Sequence, residues 1–269
     1  MSAAAAVSGS ERVTLKLYGE RNTGTTYLAR LIEQNLDATL LPGTVPMAWF
    51  DGAQPAAAVL AHYGIEVQEF DELWRDLFFE LNFETTLGWK HTLVVPEKLD
   101  PVPLAKEVVY VTLTKNPYSW LLSLYRRPYH RRSTPSDDLA GFVTTPWPTV
   151  RRENHPEPFE TPVHLWNQKN SSYLALANER TCMNLTYETL LAQPREVIES
   201  IAAIARAERL GPFRNVDSST KEDPSRSFAY YRRYYLDEAW KRELSDDVVA
   251  LITQRLEPAL LAHFGYAQL

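Results

Sequence analysis

The sequence has one cysteine and no long apolar run. The first excludes an intrachain disulfide, and the second argues against a membrane-spanning helix. Cys182 alone cannot form an intrachain disulfide, which is typical of proteins from a reducing compartment. No apolar run reaches the roughly 18–20 residues that a membrane span requires, so we expect no membrane partner. Residues 1–10 lack the basic start and apolar core of a signal peptide, and we interpret them as a disordered tail. These shortages together predict a cytoplasmic protein.

Positive charge is also scarce. The 269 residues carry 28 Lys and Arg against 34 Asp and Glu, a net charge of −6, so any anion site must be local and we expect no nucleic-acid partner. No Gly/Ser linker, low-complexity tract or repeat divides residues 11–269, which we predict to form a single domain. No His, Cys and Asp residues are grouped at ligand spacing, so no metal site is predicted. Whether the chain is a monomer or a homodimer is left open.

A glycine-bounded loop follows the first predicted strand. Residues 13–18 are apolar at alternate positions, residues 28–36 have helical spacing, and residues 19–27 between them read GERNTGTTY. Glycines allow a close backbone approach, and backbone amides at the positive end of a helix attract anions. The candidate anion-binding residues are Arg21, Asn22, Thr23, Gly24, Thr25 and Thr26. A nucleoside-triphosphate loop of this spacing has lysine where this chain has Thr25, so we predict a phosphate site unlike that of an ATPase. An ordinary turn is the alternative.

A second strand–turn–helix unit follows at residues 108–125. The strand 108–114 is almost continuously apolar or β-branched, as expected of a buried parallel strand, and Asn116 is a good helix cap. Lys115 ends the strand, and Ser119 and Ser123 share one face of the next helix. A cation beside hydroxyls is a candidate phosphate site, whereas a capped helix with incidental serines is the alternative. Strands that alternate with helices predict an α/β fold with a parallel sheet, in which the two loops are neighbours.

A histidine lies in a further candidate position. Residues 87–91 are predicted as a short strand end, and His91 near the phosphate loop can act as a general base close to neutral pH. A structural, hydrogen-bonded histidine is the alternative. Elsewhere, spacing predicts helices at 56–63, 69–83, 163–176, 194–207 and within 234–264, and a strand at 182–185.

Residues 126–162 contain seven prolines and are predicted as an irregular excursion that forms a lid or acceptor loop. An anionic or sugar-like acceptor would fit its basic and aromatic residues, although a solvated loop with anchoring aromatics remains equally open. Its basic residues are Arg126, Arg127, His130, Arg131 and Arg132, and its aromatic residues are Tyr129, Phe142, Trp147 and Phe159.

These features together resemble a bacterial-type branch of the sulfotransferases that use 3′-phosphoadenosine 5′-phosphosulfate (PAPS). Residues 22–27, NTGTTY, match the family's 5′-phosphosulfate loop. Residues 115–125, KNP…S-L-Y, match its 3′-phosphate element, residues 187–190, YETL, match a third segment, and Lys90-His91 approximates its Lys-x-His. The resemblance spans residues 13–265. It implies a three-layer, P-loop-like α/β sandwich with a central parallel sheet flanked by helices.

The resemblance also implies roles for individual residues. His91 would be the catalytic base, and Lys90 and Arg21 would neutralise the leaving 5′-phosphate, because Asn22 stands where the family has a lysine. Tyr27 would stack on adenine with Tyr187 nearby. The 3′-phosphate would be bound by Lys115, Ser123, Lys221 and Arg226. The products would be adenosine 3′,5′-bisphosphate and a sulfated small molecule or carbohydrate.

Three functions are therefore considered. The first is sulfuryl transfer from PAPS to a hydroxyl or amine. The second is a small-molecule kinase, which Thr25 disfavours. The third is an inactive nucleotide-binding homologue, which Asn22 favours.

Overall fold

The strands of the described residues form one sheet. The computed structural model describes residues 12–128, 136–218 and 226–269. The strands in these ranges are β1 (Val13–Gly19), β2 (Leu36–Leu40), β3 (Val109–Thr114), β4 (Cys182–Thr186) and β5 (Glu208–Arg209). Their order is β4-β3-β1-β2-β5; the first four are parallel, and only β5 runs antiparallel, to β2. The predicted α/β fold class, a central parallel sheet flanked by helices, is confirmed.

Helices occupy both faces of this sheet. Three 3₁₀ helices of the described residues cover Met47–Gly52, Arg151–Glu153 and Ala239–Glu243. The α-helices are α1 (Thr25–Asn35), α2 (Ala53–His62), α3 (Phe70–Leu81), α4 (Phe83–Thr86), α5 (Pro96–Leu99), α6 (Leu104–Glu107), α7 (Pro117–Arg126), α8 (Leu139–Thr144), α9 (Pro162–Glu179), α10 (Tyr187–Ala192), α11 (Pro194–Ala205), α12 (Phe228–Leu236), α13 (Asp246–Thr253) and α14 (Pro258–Phe264). None of them combines the length and apolarity needed to cross a membrane.

Side-chain alternation along β1 separates two apolar cores. Leu15 and Leu17 join the larger core on the face covered by α1, whereas Tyr18 joins a second core with Tyr110 of β3 on the opposite face. Lys16 points to the same face as Tyr18 and is fully buried there. The sheet is therefore covered on both sides, which matches the apolar character of β1 and β3.

The strand register brings the two predicted anion-binding loops together. Gly19, the last residue of β1, pairs with Leu113 of β3, so the loops after both strands leave the same edge of the sheet. The predicted Asn116 cap forms, since its side chain accepts a hydrogen bond from the amide of Tyr118 at 3.1 Å.

Three expectations need correction. Residues 87–91 are not a strand but an irregular segment beside the end of β1. Strand β2 lies in a stretch for which no strand was predicted, directly after α1.

The third correction concerns residues 126–162. Phe142, Trp147 and Phe159 are buried in the larger core, and Trp147 pairs with Phe159 in an antiparallel bridge, so they do not offer surface to an acceptor. Burying large rings stabilises the fold more than exposing them would. Residues 129–135, with Tyr129, His130, Arg131 and Arg132, lie outside the described ranges, as does the 1–10 tail. The single domain and the lid stay predictions.

Candidate active site

The loop between β1 and α1 is a tight turn. Thr23 donates from both its hydroxyl (2.5 Å) and its amide (3.3 Å) to the carbonyl oxygen of Glu20. Gly24 precedes α1 with φ +94°, and Asn22 also has a positive φ of 65°. Thr25 and Thr26 then begin α1, whose amino end carries partial positive charge. The geometry is that of an anion-binding helix start.

Two side chains of β1 hold the segment that carries Lys90 and His91. The buried ammonium of Lys16 donates to the carbonyl oxygens of Thr86 and Gly88, both at 2.5 Å. The Tyr18 hydroxyl donates to the carbonyl oxygen of Leu87 at 2.6 Å. Side chains of β1 therefore hold residues 86–91 beside the phosphate loop, and this segment does not need to pair as a strand.

Backbone contacts complete this attachment. The amide of Gly19 donates to the carbonyl oxygen of Lys90 at 2.8 Å, and the Lys90 amide donates to Gly43 at 3.1 Å. His91 Nδ1 lies 2.5 Å from the carbonyl oxygen of Gly19, and since a carbonyl only accepts, Nδ1 carries the proton. Nε2 has no hydrogen-bond partner in the described part of the chain, so it is available as a base.

Burial sets the charge states of both residues. Burial lowers the pKa of His91 well below its usual value, and the neighbouring cations Lys90 and Arg21 lower it further. The imidazole is therefore neutral at neutral pH. Burial, with a further contribution from Arg21, lowers the pKa of Lys90 to about 8. Lys90 keeps its charge near neutral pH but loses it in mild base.

Most of the predicted residues near the phosphate loop meet in one cavity of about 480 Å³. It is lined on one side by Arg21, Asn22, Gly24, Thr25, Thr26, Lys90 and His91. Thr23 is buried in the turn and supports the loop instead. The remaining wall comes mainly from α3 and from Trp89 and Arg152, which were not predicted as site residues.

An aromatic slot adjoins this cavity. Tyr27 stacks on Phe228 with ring centroids 5.7 Å apart, and Tyr187 and Tyr235 line the same small cavity of about 40 Å³. Asn22 and Gly24 line both the slot and the first cavity, so the two are continuous. Predicted residues Tyr27 and Tyr187 therefore lie together beside the loop.

Lys115 and Ser123 lie outside the first cavity, at a third part of the site. The Lys115 ammonium is fully buried, donates to Ser123 Oγ at 2.9 Å and lies 3.9 Å from the ring centroid of Tyr235. Burial lowers the pKa of Lys115 to about 7, against the opposing effect of Glu188. Ser123 lines a separate basic cavity of about 360 Å³, together with Arg126, Arg127 and Arg226. Lys221 lies outside the described residues.

A buried lysine under the loop was not predicted as a site residue. Lys169 of α9 donates to Glu20, to the carbonyl oxygen of His91 (2.5 Å) and to Glu153 (3.2 Å). Burial alone would lower the pKa of Lys169, but the carboxylates of Glu153 and Glu20 outweigh it and raise the pKa. Lys169 thus joins the phosphate loop, the histidine segment and the 3₁₀ helix before α9. Its helical spacing from the apolar Trp166 and Tyr173 could have revealed that it is buried.

No His, Cys, Asp and Glu side chains of the described ranges are grouped so that they could hold a metal ion. No protein-family model matches the chain, and no curated protein matches its sequence.

Several solved structures match most of the chain, and three of them are sulfotransferases or sulfotransferase domains. A sulfotransferase domain from the Synechococcus PCC 7002 olefin synthase is 13% identical, with 91% of this chain and 94% of that one covered and a TM-score of 0.45. The sulfotransferase from Alicyclobacillus acidocaldarius is 14% identical, with 96% and 98% covered and a TM-score of 0.41. A sulfotransferase domain from the curacin biosynthetic pathway is 11% identical, with 97% and 99% covered and a TM-score of 0.42. At such low similarity, the chemistry must be argued from the site residues.

Proposed function

We propose that this protein is a sulfotransferase that moves a sulfuryl group from PAPS to a hydroxyl or amine of a small-molecule or carbohydrate acceptor. One observation carries the proposal. A neutral histidine with a free Nε2, two cations and the amino end of a helix line the same cavity. Transfer between two oxygens needs this combination, because the acceptor loses a proton while the leaving phosphate gains negative charge.

The residues that line the site support the donor. The phosphosulfate is assigned to the cavity of Arg21, Lys90 and the loop, and the adenine to the aromatic slot lined by Tyr27 and Tyr187, since stacking needs only a ring face. At about 40 Å³ the slot is smaller than a purine, so its aromatic side chains must move apart to admit the adenine. The aromatic slot shares Tyr231 and Tyr235 with the basic cavity. The three compartments are therefore assigned, in order, to the sulfated end, the adenine and the 3′-phosphate of one nucleotide.

The 3′-phosphate is assigned to the basic cavity. Ser123 and Arg226 contact it there, and Lys115 acts from behind Ser123 through their hydrogen bond. Because the Lys115 ammonium is buried beneath Tyr235, direct contact with phosphate requires this ring to move. Lys221 is proposed as a further contact on sequence grounds alone.

The proposed reaction is a direct in-line transfer. His91 Nε2 accepts the proton of the acceptor as its oxygen or nitrogen forms a bond to sulfur. The bond between sulfur and the bridging oxygen breaks, and its electron pair stays on the 5′-phosphate. Lys90, Arg21 and the amides at the start of α1 stabilise this charge. The products are the sulfated acceptor and adenosine 3′,5′-bisphosphate.

An inactive nucleotide-binding homologue is the second candidate, and Asn22 favours it. The Asn22 amide lies 3.4 Å from the carbonyl oxygen of Arg127. The family that the sequence resembles has a lysine at this position of the loop, which would supply a charge. Lys90 compensates in the proposed mechanism, since it lines the same cavity.

Calorimetric titration separates these functions. We expect tight binding of adenosine 3′,5′-bisphosphate, weak binding of ATP·Mg²⁺, and sulfuryl transfer from PAPS to members of an acceptor panel, detected by mass spectrometry. A preference for ATP·Mg²⁺ would support a kinase and refute the proposal. Tight bisphosphate binding without transfer to any acceptor would identify an inactive homologue.

A further inference from the structure

The cavity wall formed by α3 and its neighbours contains two arginines, of which one forms ion pairs and the other does not. Arg152 is buried, and it is bound to Glu72 at 2.5 Å and to Asp76 at 2.6 Å, with its guanidinium 4.6 Å from the Trp89 ring centroid. Two carboxylates already satisfy its charge. Arg152 therefore shapes this wall and has little charge to offer a ligand.

Arg75, one turn along α3 from Glu72, has no such partner. It lines the same cavity and is half-buried, and no carboxylate in the described residues forms an ion pair with it. Its guanidinium carbon lies 4.8 Å from the ring centroid of Phe50. A guanidinium carries five N–H donors, no hydrogen bond of Arg75 occupies them in the described residues, and they can bind a planar anion.

Neighbouring aromatic contacts hold Arg75 in place. Trp49 and Trp74 each donate an indole hydrogen bond to the backbone carbonyl of the other, both at 3.0 Å, and their rings stack with centroids 5.1 Å apart. These contacts attach the 3₁₀ helix that carries Phe50 to α3. A cation held in this way loses less conformational entropy on binding a ligand than a free surface arginine.

The donor does not use this cation in the proposed reaction. Arg21, Lys90 and the helix start neutralise the phosphosulfate, and Glu72 is already paired with Arg152. Arg75 therefore remains a cation without an ion-pair partner among the described residues on the acceptor side of the cavity, where its guanidinium can bind an anion directly. Phe79, Trp89 and Val45 add apolar surface beside it.

We propose that Arg75 binds a negatively charged group of the acceptor, so that the acceptor is a hydroxyl compound that also bears a carboxylate or sulfate. This inference rests on the proposed function and specifies the substrate class of the same site. The anionic group binds at α3 while the hydroxyl is presented to His91. The acceptor site thus lies on α3, where Phe50 of the 3₁₀ helix supports Arg75, rather than on the aromatic residues of the 126–162 excursion.

Matched acceptor pairs test this assignment. We would measure kcat/KM for methyl glucuronoside against methyl glucoside, and for para-hydroxyphenylacetate against its amide, and the binding of each compound in the presence of saturating adenosine 3′,5′-bisphosphate. For the wild type we expect the anionic member to be preferred by about 10- to 100-fold, the range of one charge-assisted contact. Arg75→Gln removes most of this preference, and Arg75→Lys retains part of it because it keeps the charge but not the planar edge.

Arg30→Gln is the matched control, because Arg30 is an exposed arginine on α1 away from the cavity lining, and it should keep the wild-type preference. Bisphosphate binding confirms that each variant is folded. Equal binding of both members of every pair, an unchanged preference in Arg75→Gln, or failure of every anionic member to bind would overturn the assignment. Loss of bisphosphate binding by the wild type would instead refute the proposed function itself.

Discussion

The Nδ1 atom of His91 lies 2.5 Å from the carbonyl oxygen of Gly19, the last residue of the strand that leads into the phosphate loop. This contact determines the tautomer, because it fixes the proton on Nδ1 and leaves Nε2 unprotonated. It also ties the proposed base to the loop proposed to bind the donor. The loop and the base are thus positioned by the same residue.

Replacing His91 tests its role as base. We expect His91→Ala and His91→Asn to lower turnover by about 10²- to 10⁴-fold, the usual contribution of a general base, with little change in bisphosphate affinity. Asparagine can still donate to the Gly19 carbonyl, so a loss in this variant cannot be assigned to a displaced loop. His62→Ala, at an exposed position of α2, should behave as wild type. Undiminished turnover in both His91 variants would exclude His91 as the base.

The shifted pKa of Lys90 predicts how donor affinity depends on pH. Because this pKa is lowered to about 8, the free enzyme loses the Lys90 charge as the pH rises through that value. We expect bisphosphate affinity, measured by calorimetry, to fall between about pH 7.5 and about pH 9.5, where the phosphates themselves are already ionised. Lys90→Arg should lose less affinity over this range, since arginine stays charged. Identical pH profiles for the two proteins would show that Lys90 does not contact the phosphates.

The local elements of the site could be predicted from the sequence because their signals are local. Alternation in β1, the glycines of the loop and the Asn116-Pro117 helix start all act within a few residues, and each is confirmed. Strand β2 was missed, because its five residues follow α1 without a turn and their strand conformation comes from pairing with β1.

The rest of the site depends on contacts between distant parts of the chain. The 87–91 segment is held by Lys16 and Tyr18, which are about 70 residues away in sequence, so its own pattern wrongly suggested a strand. The α3 wall likewise depends on Arg152 meeting Asp76, and no local pattern pairs these two residues. The burial of Lys169, in contrast, could be predicted locally, since helical periodicity places this residue on an apolar face of its helix.

Lys169 is expected to support the site through stability. Removing a buried charge leaves its partners uncompensated, so Lys169→Met should destabilise the fold by about 3–5 kcal/mol. In this variant Glu20 and Glu153 remain buried without their cation. Burial already raises the pKa of Glu20, and loss of the opposing Lys169 charge raises this pKa further above that of the unfolded chain. The deficit should therefore be smallest in acid, where Glu20 is protonated, and should grow as the pH rises.

Urea unfolding near pH 5 and near pH 8 measures this effect. Gln168→Met, at the exposed neighbouring position of α9, is the matched control and should be close to wild type at both pH values. A Lys169→Met deficit that is small, or that does not increase from acid to neutral pH, would show that the two carboxylates do not depend on this lysine.

Gly24 joins the phosphate loop to the aromatic slot, and its substitution tests that junction. A Cβ atom there would lie 2.5 Å from a ring carbon of Tyr187, in addition to the strain of φ +94°. Gly64 has a similar φ of +70° but no atom within 4 Å of such a Cβ, so Gly64→Ala reproduces the strain without the clash.

Both alanine variants should lose about 1–2 kcal/mol of stability from the left-handed backbone. Only Gly24→Ala should also weaken bisphosphate binding, by about 10- to 100-fold, because the ring and the loop can no longer approach each other. Equal bisphosphate affinities in the two variants would mean that the contact between loop and ring does not shape the nucleotide site.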